Sequence, residues 1–199
     1  MPILMKDLRR QILEKNREAM HLHGYQGLRA DLVVKELAIT KGAYYHYFSG
    51  KQELGYCILD ELIGPEHLHY WGALNDYFGH PIEGIIERLK TLRIELKNDY
   101  FLLGSELNNL IQEMAPLDEG FQQRLQRIVE GMRLAIRAAI ERGKKARLVK
   151  AETDADEVAT MVLTNLLGAF SLAKAFQDRK FFDRTIEQMT EYLRDFKGQ

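Results

Sequence analysis

The residues with the clearest chemical purpose lie between Thr40 and Phe48 and read TKGAYYHYF. A helix that reads DNA enters a major groove about 12 Å wide, so it needs short or planar side chains and one close approach of bare backbone. Gly42 permits that approach, while Thr40 and the first backbone N–H groups of the helix can bind a phosphate. The segment therefore has the residue types of a DNA recognition helix.

Packing alone is the other explanation for the aromatic run from Tyr44 to Phe48, because a short aromatic helix is usually part of a core. Successive residues on a helix are about 100° apart, however, so five consecutive rings cannot all point inward. Exposed rings would then stand beside Lys41 and Lys51, which can neutralise phosphates. We therefore favour contact with DNA over packing alone.

Three helices are expected to position this segment. The first covers about residues 4–23 and ends at Gly24, a residue type that commonly terminates helices. A short helix follows at about residues 30–38. After a tight connection, a second short helix begins directly after Thr40, whose side chain can cap it. Two short apolar helices with this spacing are typical of a helix-turn-helix.

The same region carries a longer pattern. Gly24 and Tyr25 are followed over residues 41–54 by KG-x-x-YHYF-x-x-K-x-x-L. Aligned without gaps from Ile12 to Leu54, this pattern resembles the N-terminal signature of the TetR family of transcriptional regulators. The resemblance implies an all-helical homodimer in which the first three helices bind DNA and the later helices hold a small-molecule pocket and the dimer surface.

The resemblance also implies which residues contact DNA. Tyr45 and His46 would lie against the phosphate backbone and the groove edge, whereas Tyr44 and Phe48 would fill the small core. The chain departs from the family pattern at Leu28, where a phosphate-binding Thr is common, and Arg29 beside it could supply that contact instead. The DNA-contact candidates are Arg29, Thr40, Lys41, Gly42, Ala43, Tyr45, His46 and Lys51.

Composition makes any DNA-binding surface a local one, because the 199-residue chain has a formal net charge of −1. Residues 1–57 hold nine Lys and Arg against six Asp and Glu, and the remainder has an acidic excess. The single cysteine, Cys57, excludes an intramolecular disulfide and a multi-cysteine metal site. Since there is neither an apolar run of about 18 residues nor a secretory signal pattern, we expect a cytoplasmic protein without a membrane span.

The rest of the chain also has helical period, with four prolines and no alternating strand pattern. A capping pattern at residues 49–52, with Ser49 as the N-cap, predicts a long fourth helix that should be kinked or interrupted at the Gly64-Pro65 step. Nine helices are expected in all. We therefore predict an all-α fold with a three-helix helix-turn-helix DNA-binding domain at residues 1–50 and a helical effector-binding and dimerisation domain at residues 51–199.

A ligand pocket in the second domain would combine aromatic walls with a few fixed amides, which suits a mostly apolar ligand carrying one or two polar groups. Each residue that could line such a pocket could equally be ordinary core. The pocket candidates are Trp71, Tyr77, Phe78, Tyr100, Phe101, Asn108, Gln112 and Asn165.

A second capping pattern begins at Asp154 and predicts a helix over about residues 155–177 that is apolar on more than one face. Such a helix is either wholly buried or shared between two surfaces. With the last helix, at about residues 181–196, it could form a four-helix bundle with a second copy. A buried core helix in a monomer is the alternative. The dimer-interface candidates are Met161, Leu166, Phe170, Phe182, Ile186, Met189 and Leu193.

Together these patterns and the family resemblance predict a ligand-responsive transcriptional regulator that binds a palindromic DNA operator as a homodimer and is released by a small, mostly apolar effector. We favour a repressor, and an activator is the open alternative. An all-α enzyme is one alternative, but no nucleophile–base pair, metal-ligand spacing or phosphate loop supports it, so we expect no enzyme activity, metal or cofactor. The other is a helical module that binds protein through its aromatic face. Salt dependence separates these hypotheses, because binding driven by phosphates weakens steeply with salt.

Overall fold

The computed structural model describes residues 2–198, and the side chains from Leu8 onward. Within those residues the fold is all-α, as predicted, with one isolated bridge between Val149 and Lys197 and no strand. The α-helices are α1 (Pro2–His23), α2 (Ala30–Glu36), α3 (Lys41–Tyr45), α4 (Lys51–Ile58), α5 (Gly64–Gly72), α6 (Pro81–Glu95), α7 (Asn98–Leu103), α8 (Glu106–Met114), α9 (Glu119–Lys145), α10 (Ala155–Phe176) and α11 (Lys180–Arg194).

The described chain has more helices than the nine expected, for two reasons. The predicted fourth helix is divided into α4 and α5 by a π-helical turn at Leu59–Ile63. The short α7 also follows α6 after an extended residue, Leu96, and the sequence gave no separate capping signal for it.

The helices form two compact units. Unit 1 holds the residues up to Glu66 together with Asn109–Gln126, and unit 2 holds His67–Asn108 and the chain from Arg127 onward. The chain passes between the units within α5, α8 and α9. A compact unit is not the same division as a functional domain, so the boundary after residue 50 stays a prediction.

Local capping explains where the first helices begin and end. Gly24 adopts a left-handed φ of 76° directly after α1, and its N–H donates to the Met20 carbonyl at 2.9 Å. This left-handed conformation favours glycine. Thr40 caps α3, because its Oγ1 accepts from the Ala43 N–H at 3.1 Å. Both predicted helix ends are confirmed.

The start of α4 differs from the prediction. The N-cap is Gly50 rather than Ser49, and the carboxylate of Glu53 accepts the Ser49 N–H at 2.6 Å. A hydrogen bond from the Ser49 side chain, together with this N–H, holds the pKa of Glu53 below its ordinary value. The return bond from a side chain to the backbone before the helix is thus made by Glu53, the third residue after the Gly50 N-cap, while the Gln52 amide donates to Asp118 at 2.7 Å.

The π-helical turn explains how the chain passes Pro65. Proline lacks an N–H, and its ring collides with the carbonyl four residues earlier in a regular α-helix. One wider turn immediately before Gly64 removes that collision. The Gly64-Pro65 step therefore interrupts the α-helical hydrogen bonding as predicted.

Unit 2 has its core around α10, whose buried residues come from more than one face. Asp154 caps this helix as predicted, because its Oδ1 accepts the N–H groups of Asp156 at 2.8 Å and Glu157 at 3.1 Å. By length and composition alone α10 could cross a membrane, but a core helix passes the same test, and 44% of its most apolar stretch is buried in this chain. The absence of a membrane span stays a prediction.

Candidate nucleic-acid interface

A tight turn at residues 37–40 joins α2 to α3. Leu37 donates its N–H to the Val33 carbonyl at 2.9 Å, and Ala38 has a left-handed φ of 52°. A non-glycine residue in this conformation is uncommon, and here it lies in the four-residue turn that connects the two helices. The two short helices and this turn form the predicted helix-turn-helix.

The aromatic run of α3 divides between the core and the surface. Tyr44 and Phe48 are 2% and 1% exposed, whereas Tyr45 is 53% exposed and His46 is also exposed. The Tyr44 hydroxyl donates to Oδ1 of the buried Asn16 at 3.0 Å, and this bond fixes α3 against α1. The prediction that Tyr44 and Phe48 fill the core is confirmed, and the exposed Tyr45 ring lies edge-on beside the Tyr44 ring at 5.3 Å.

The start of α3 presents small, accessible groups. Thr40, Lys41 and Gly42 are exposed and Ala43 is half-buried. A Cβ added at Gly42 would meet only the Thr40 Oγ1, at 3.8 Å, and the residue has no left-handed φ. Neither packing nor backbone conformation requires glycine here, so the chain is left free for a close approach from outside.

The Lys51 side chain already has partners within the protein, in addition to any contact that it makes with phosphate. Its Nζ donates to the Gln26 carbonyl at 2.8 Å and lies 5.0 Å from the centre of the Tyr25 ring. An ammonium has three donors, so this internal bond leaves others for a phosphate. Lys51 therefore also positions the turn between α1 and α2.

The region around Arg29 forms a second feature of this surface. Leu28 is buried and belongs to the core, which explains an apolar residue at that position. Arg29 is exposed, and its guanidinium pairs with Asp31. An open concavity of about 310 Å³ lies beside this pair, and it is lined by Leu28, Arg29, Ala30, Asp31, Val34, Lys41 and Tyr45.

The structure separates several residues expected to share an effector pocket. Phe78 is fully exposed, and Asn165 is exposed with its amide bonded to the Met161 carbonyl of its own helix. Gln112 belongs to unit 1, whereas the other pocket candidates belong to unit 2. Phe78 and Asn165 therefore face solvent, and the role of Gln112 in a pocket stays a prediction.

Part of the expected pocket does come together in unit 2. The rings of Tyr100 and Phe101 lie 5.7 and 5.9 Å from the ring of Phe170. Asn108 is buried, and its amide donates to the Ser171 hydroxyl at 2.8 Å and to the Leu167 carbonyl. Of the remaining candidates, Trp71 is buried and Tyr77 is half-buried.

The residues expected at a dimer interface lie mainly inside the chain. Six of the seven are at most 4% exposed and pack in the core of unit 2, and Met161 is half-buried. A side chain that is already buried cannot also cover a second copy without leaving its core. The six buried residues are Leu166, Phe170, Phe182, Ile186, Met189 and Leu193.

A different face of α10 is accessible. Met161, Gly168, Leu172 and Phe176 follow one another at intervals of seven, four and four residues, which places them on one stripe of the helix. Leu172 and Phe176 are exposed, and a Cβ added at Gly168 would meet no atom within 4 Å. This accessible stripe was missed because the sequence shows that α10 is apolar but not which side its own chain covers.

Two family models match separate segments of the chain. Residues 12–54 match the family model described as "Bacterial regulatory proteins, tetR family". Residues 97–189 match the one described as "Tetracyclin repressor-like, C-terminal domain". Together the two models cover more than half of the chain. The chain belongs to the TetR family.

Relatives of this TetR-family protein are similar along most of their length. An uncharacterised HTH-type transcriptional regulator of Lactococcus lactis is 22% identical over 174 residues, which is 87% of each chain. TetR-family regulators of Cytophaga hutchinsonii and Chloroflexus aurantiacus both have TM-scores of 0.84, at 16% and 18% identity. Each match covers 98% of this chain, with 97% and 98% of the other chain. The family's members are transcription regulators and not enzymes, which removes the enzyme alternative.

Sequence reasoning missed two acids that hold unit 1 together. The Glu113 carboxylate accepts the backbone N–H groups of Tyr25 and Gln26. Asp118 accepts the Tyr56 hydroxyl at 2.7 Å and the Phe121 N–H at 2.9 Å, and these bonds lower the pKa of Asp118. Both acids lie far along the chain from most of their partners, so no local pattern could have indicated these contacts.

Proposed function

We propose that this TetR-family protein is a cytoplasmic, ligand-responsive repressor that binds a palindromic DNA operator as a homodimer and is released by a small, mostly apolar effector. The observation that carries the DNA-binding role is the division of α3: one side is core, and the other presents Thr40, Lys41, Tyr45 and His46 to solvent. Short polar, cationic and planar groups of this kind suit phosphates and base edges.

The proposed DNA contacts have different tasks. Thr40 with the first N–H groups of α3, Lys41, Lys51 and Arg29 would bind phosphates, which fixes the register of the protein on the duplex. Gly42 and Ala43 would allow the backbone to approach the groove. Tyr45 and His46 would lie along the phosphate backbone and the groove edge.

Two recognition helices are needed for a palindromic operator, and we place the two-fold interface on α10. The accessible stripe through Leu172 and Phe176 supports this choice, because an isologous contact repeats one apolar patch in both copies. The small residue Gly168 in the stripe would let two helices approach closely. Residues of α11 that face solvent beside this helix, such as Tyr192, would complete the bundle.

For the effector we favour the surroundings of Tyr100, Phe101 and Asn108 in unit 2. The aromatic rings provide apolar walls and the Asn108 amide provides a fixed polar group. A ligand that prefers one arrangement of the dimer would shift the population toward a spacing of recognition helices that does not fit the operator.

The test is a mobility-shift titration with DNA that flanks the protein's own gene, comparing the wild type with Tyr45→Ala. We expect Tyr45→Ala to weaken binding at least about tenfold, because a ring at the backbone and groove edge would be lost. Leu22→Ala is the matched control, since Leu22 is similarly exposed at 58% but lies on α1. Equal binding by the wild type and Tyr45→Ala would remove Tyr45 from the interface.

A further inference from the structure

The proposed DNA surface contains an acid in an unexpected place. Asp31 lies in the first turn of α2 and lines the open concavity together with Arg29, Lys41 and Tyr45. DNA presents a continuous row of negative charges, so a carboxylate on the surface that faces it opposes binding. The three other residues named here are candidates for DNA contact, and Asp31 lies among them.

The Arg29–Asp31 ion pair is bidentate. Nε of Arg29 donates to one oxygen of Asp31 at 3.2 Å, and Nη2 donates to the other at 2.8 Å. A guanidinium binds carboxylates and phosphates through the same kind of parallel, bidentate contact. Asp31 therefore occupies the edge of Arg29 that would fit a phosphate.

The pair is also open to exchange. The side chains of Arg29 and Asp31 are 65% and 49% exposed, so water can replace either partner. Exposed ion pairs contribute little to stability and can open without unfolding the protein. The Arg29 guanidinium is the main cause that lowers the pKa of Asp31, so the acid stays ionised at neutral pH.

We propose that Asp31 restrains DNA binding by holding, in the free protein, the guanidinium edge with which Arg29 would otherwise bind a backbone phosphate. This inference rests on the proposed DNA-binding function. It explains how Arg29 can stand at this surface while adding less to the affinity for DNA of any sequence than an arginine without an acidic partner would. The neutral pair contributes no net charge, so it releases no extra counterion when DNA binds.

The proposal predicts how the net charge at positions 29 and 31 changes from one variant to the next. Relative to the wild-type pair, Asp31→Asn frees one positive charge, Arg29→Ala frees one negative charge, and the double variant restores neutrality. Each additional neutralised phosphate steepens the slope of log K against log salt by about 0.9. The double variant should therefore return to the wild-type slope.

The experiment is fluorescence anisotropy with a labelled random-sequence duplex of about 30 base pairs, which spans two successive turns of the major groove, titrated at several salt concentrations. We expect Asp31→Asn to bind about two- to fivefold more tightly than the wild type at low salt, with a slope steeper by about 1.8, because each copy in the proposed homodimer frees one Arg29. Arg29→Ala should bind more weakly. Asp31→Ser provides a second neutral variant, and circular dichroism checks that both variants fold.

Glu36→Gln is the matched control, because Glu36 lies on the same helix but pairs with Lys15 at 3.0 Å, away from the concavity. A similar gain in Glu36→Gln would mean a general charge effect and would overturn the proposal. Unchanged or weaker binding by both Asp31 variants would also overturn it, the latter because Asp31 would then contact DNA or support α2. Absence of DNA binding by the wild type would instead contradict the proposed function itself.

Discussion

Oε1 of Glu113 lies 2.6 Å from the backbone nitrogen of Gln26, and Oε2 lies 2.9 Å from that of Tyr25. Glu113 falls in the segment matched by the C-terminal family model, and Tyr25 and Gln26 fall in the segment matched by the N-terminal one. On the other side of the same turn, Lys51 donates to the Gln26 carbonyl. The C-terminal segment thus holds the turn that precedes α2 directly.

Glu113→Gln should loosen this turn. An amide accepts a hydrogen bond less strongly than a carboxylate and cannot serve both N–H groups equally, so about 1–2 kcal/mol of local stability should be lost. We expect hydrogen exchange at the Tyr25 and Gln26 amides to become about tenfold faster. Glu119→Gln is the control, because Glu119 bonds only to Gln123 within its own helix among its hydrogen bonds found in the described chain. Equal protection in Glu113→Gln and the wild type would contradict this role.

Two glycine substitutions should have opposite effects. At Gly55 an added Cβ would lie 2.6 Å from Cζ of Phe121 and 2.7 Å from Cε2 of Tyr25. Overpacking these rings should cost about 1–3 kcal/mol of unfolding free energy. At Gly72, also helical, a Cβ meets no atom within 4 Å, so Gly72→Ala should be neutral or stabilise by up to about 1 kcal/mol. Chemical denaturation measures both, and a stabilising Gly55→Ala would show that the two rings can separate.

Stability should fall at alkaline pH as Tyr44 ionises. Burial is the largest cause that raises the pKa of Tyr44 to about 12, above its ordinary value of 10. A folded-state pKa above the unfolded one means that this stability is fully present below about pH 10 and is lost as pH rises toward about 12. Tyr25, which is raised for the same main reason, titrates in the same window.

Chemical denaturation at several pH values between about 10 and 12 measures this loss of stability. Tyr44→Phe is the variant to compare with the wild type. Tyr44→Phe leaves Oδ1 of the buried Asn16 without its donor, which should cost about 1–3 kcal/mol at neutral pH. It should also reduce the alkaline loss. An alkaline loss that is undiminished in Tyr44→Phe would assign the effect to other groups.

The proposed dimer face leads to a matched pair of substitutions in unit 2. Leu172 on α10 and Leu134 on α9 are 45% and 43% exposed, so either should accept Glu without damage to the fold. A charge at Leu172 would be buried without a partner in a two-fold interface, so Leu172→Glu should raise the dimer dissociation constant at least about tenfold. Leu134→Glu should leave it unchanged. Analytical ultracentrifugation measures the dimer dissociation constant of both variants. A weaker dimer in Leu134→Glu, with an unchanged one in Leu172→Glu, would instead place the interface on α9.

Helix ends could be predicted from the sequence where a single residue determines the local backbone conformation. Gly24, Thr40 and Asp154 end or begin helices through their own conformation or side chain, and each does so in the structure. Helical geometry also predicted that the aromatic run must divide between core and surface, and the family resemblance indicated that Tyr44 faces inward and Tyr45 outward. The helix-turn-helix was therefore predicted nearly in full.

The sequence did not indicate whether an apolar side chain is covered by its own chain, by a second copy or by neither. The apolar character of Phe182 shows that it avoids water but not whether its own chain or a second copy covers it, and its own chain does. Phe78 is equally apolar and fully exposed. The contacts of Glu113 depend on residues more than eighty positions away, which no local periodicity encodes.

The central claim is that this surface binds DNA through phosphates, and the salt dependence of wild-type binding tests it most directly. Binding to DNA from the protein's own promoter should weaken at least about a hundredfold between about 50 and 200 mM salt, as several neutralised phosphates require. Fluorescence anisotropy at constant pH measures this change. A change of less than about threefold, with binding retained at high salt, would contradict the account and favour an aromatic surface that binds protein.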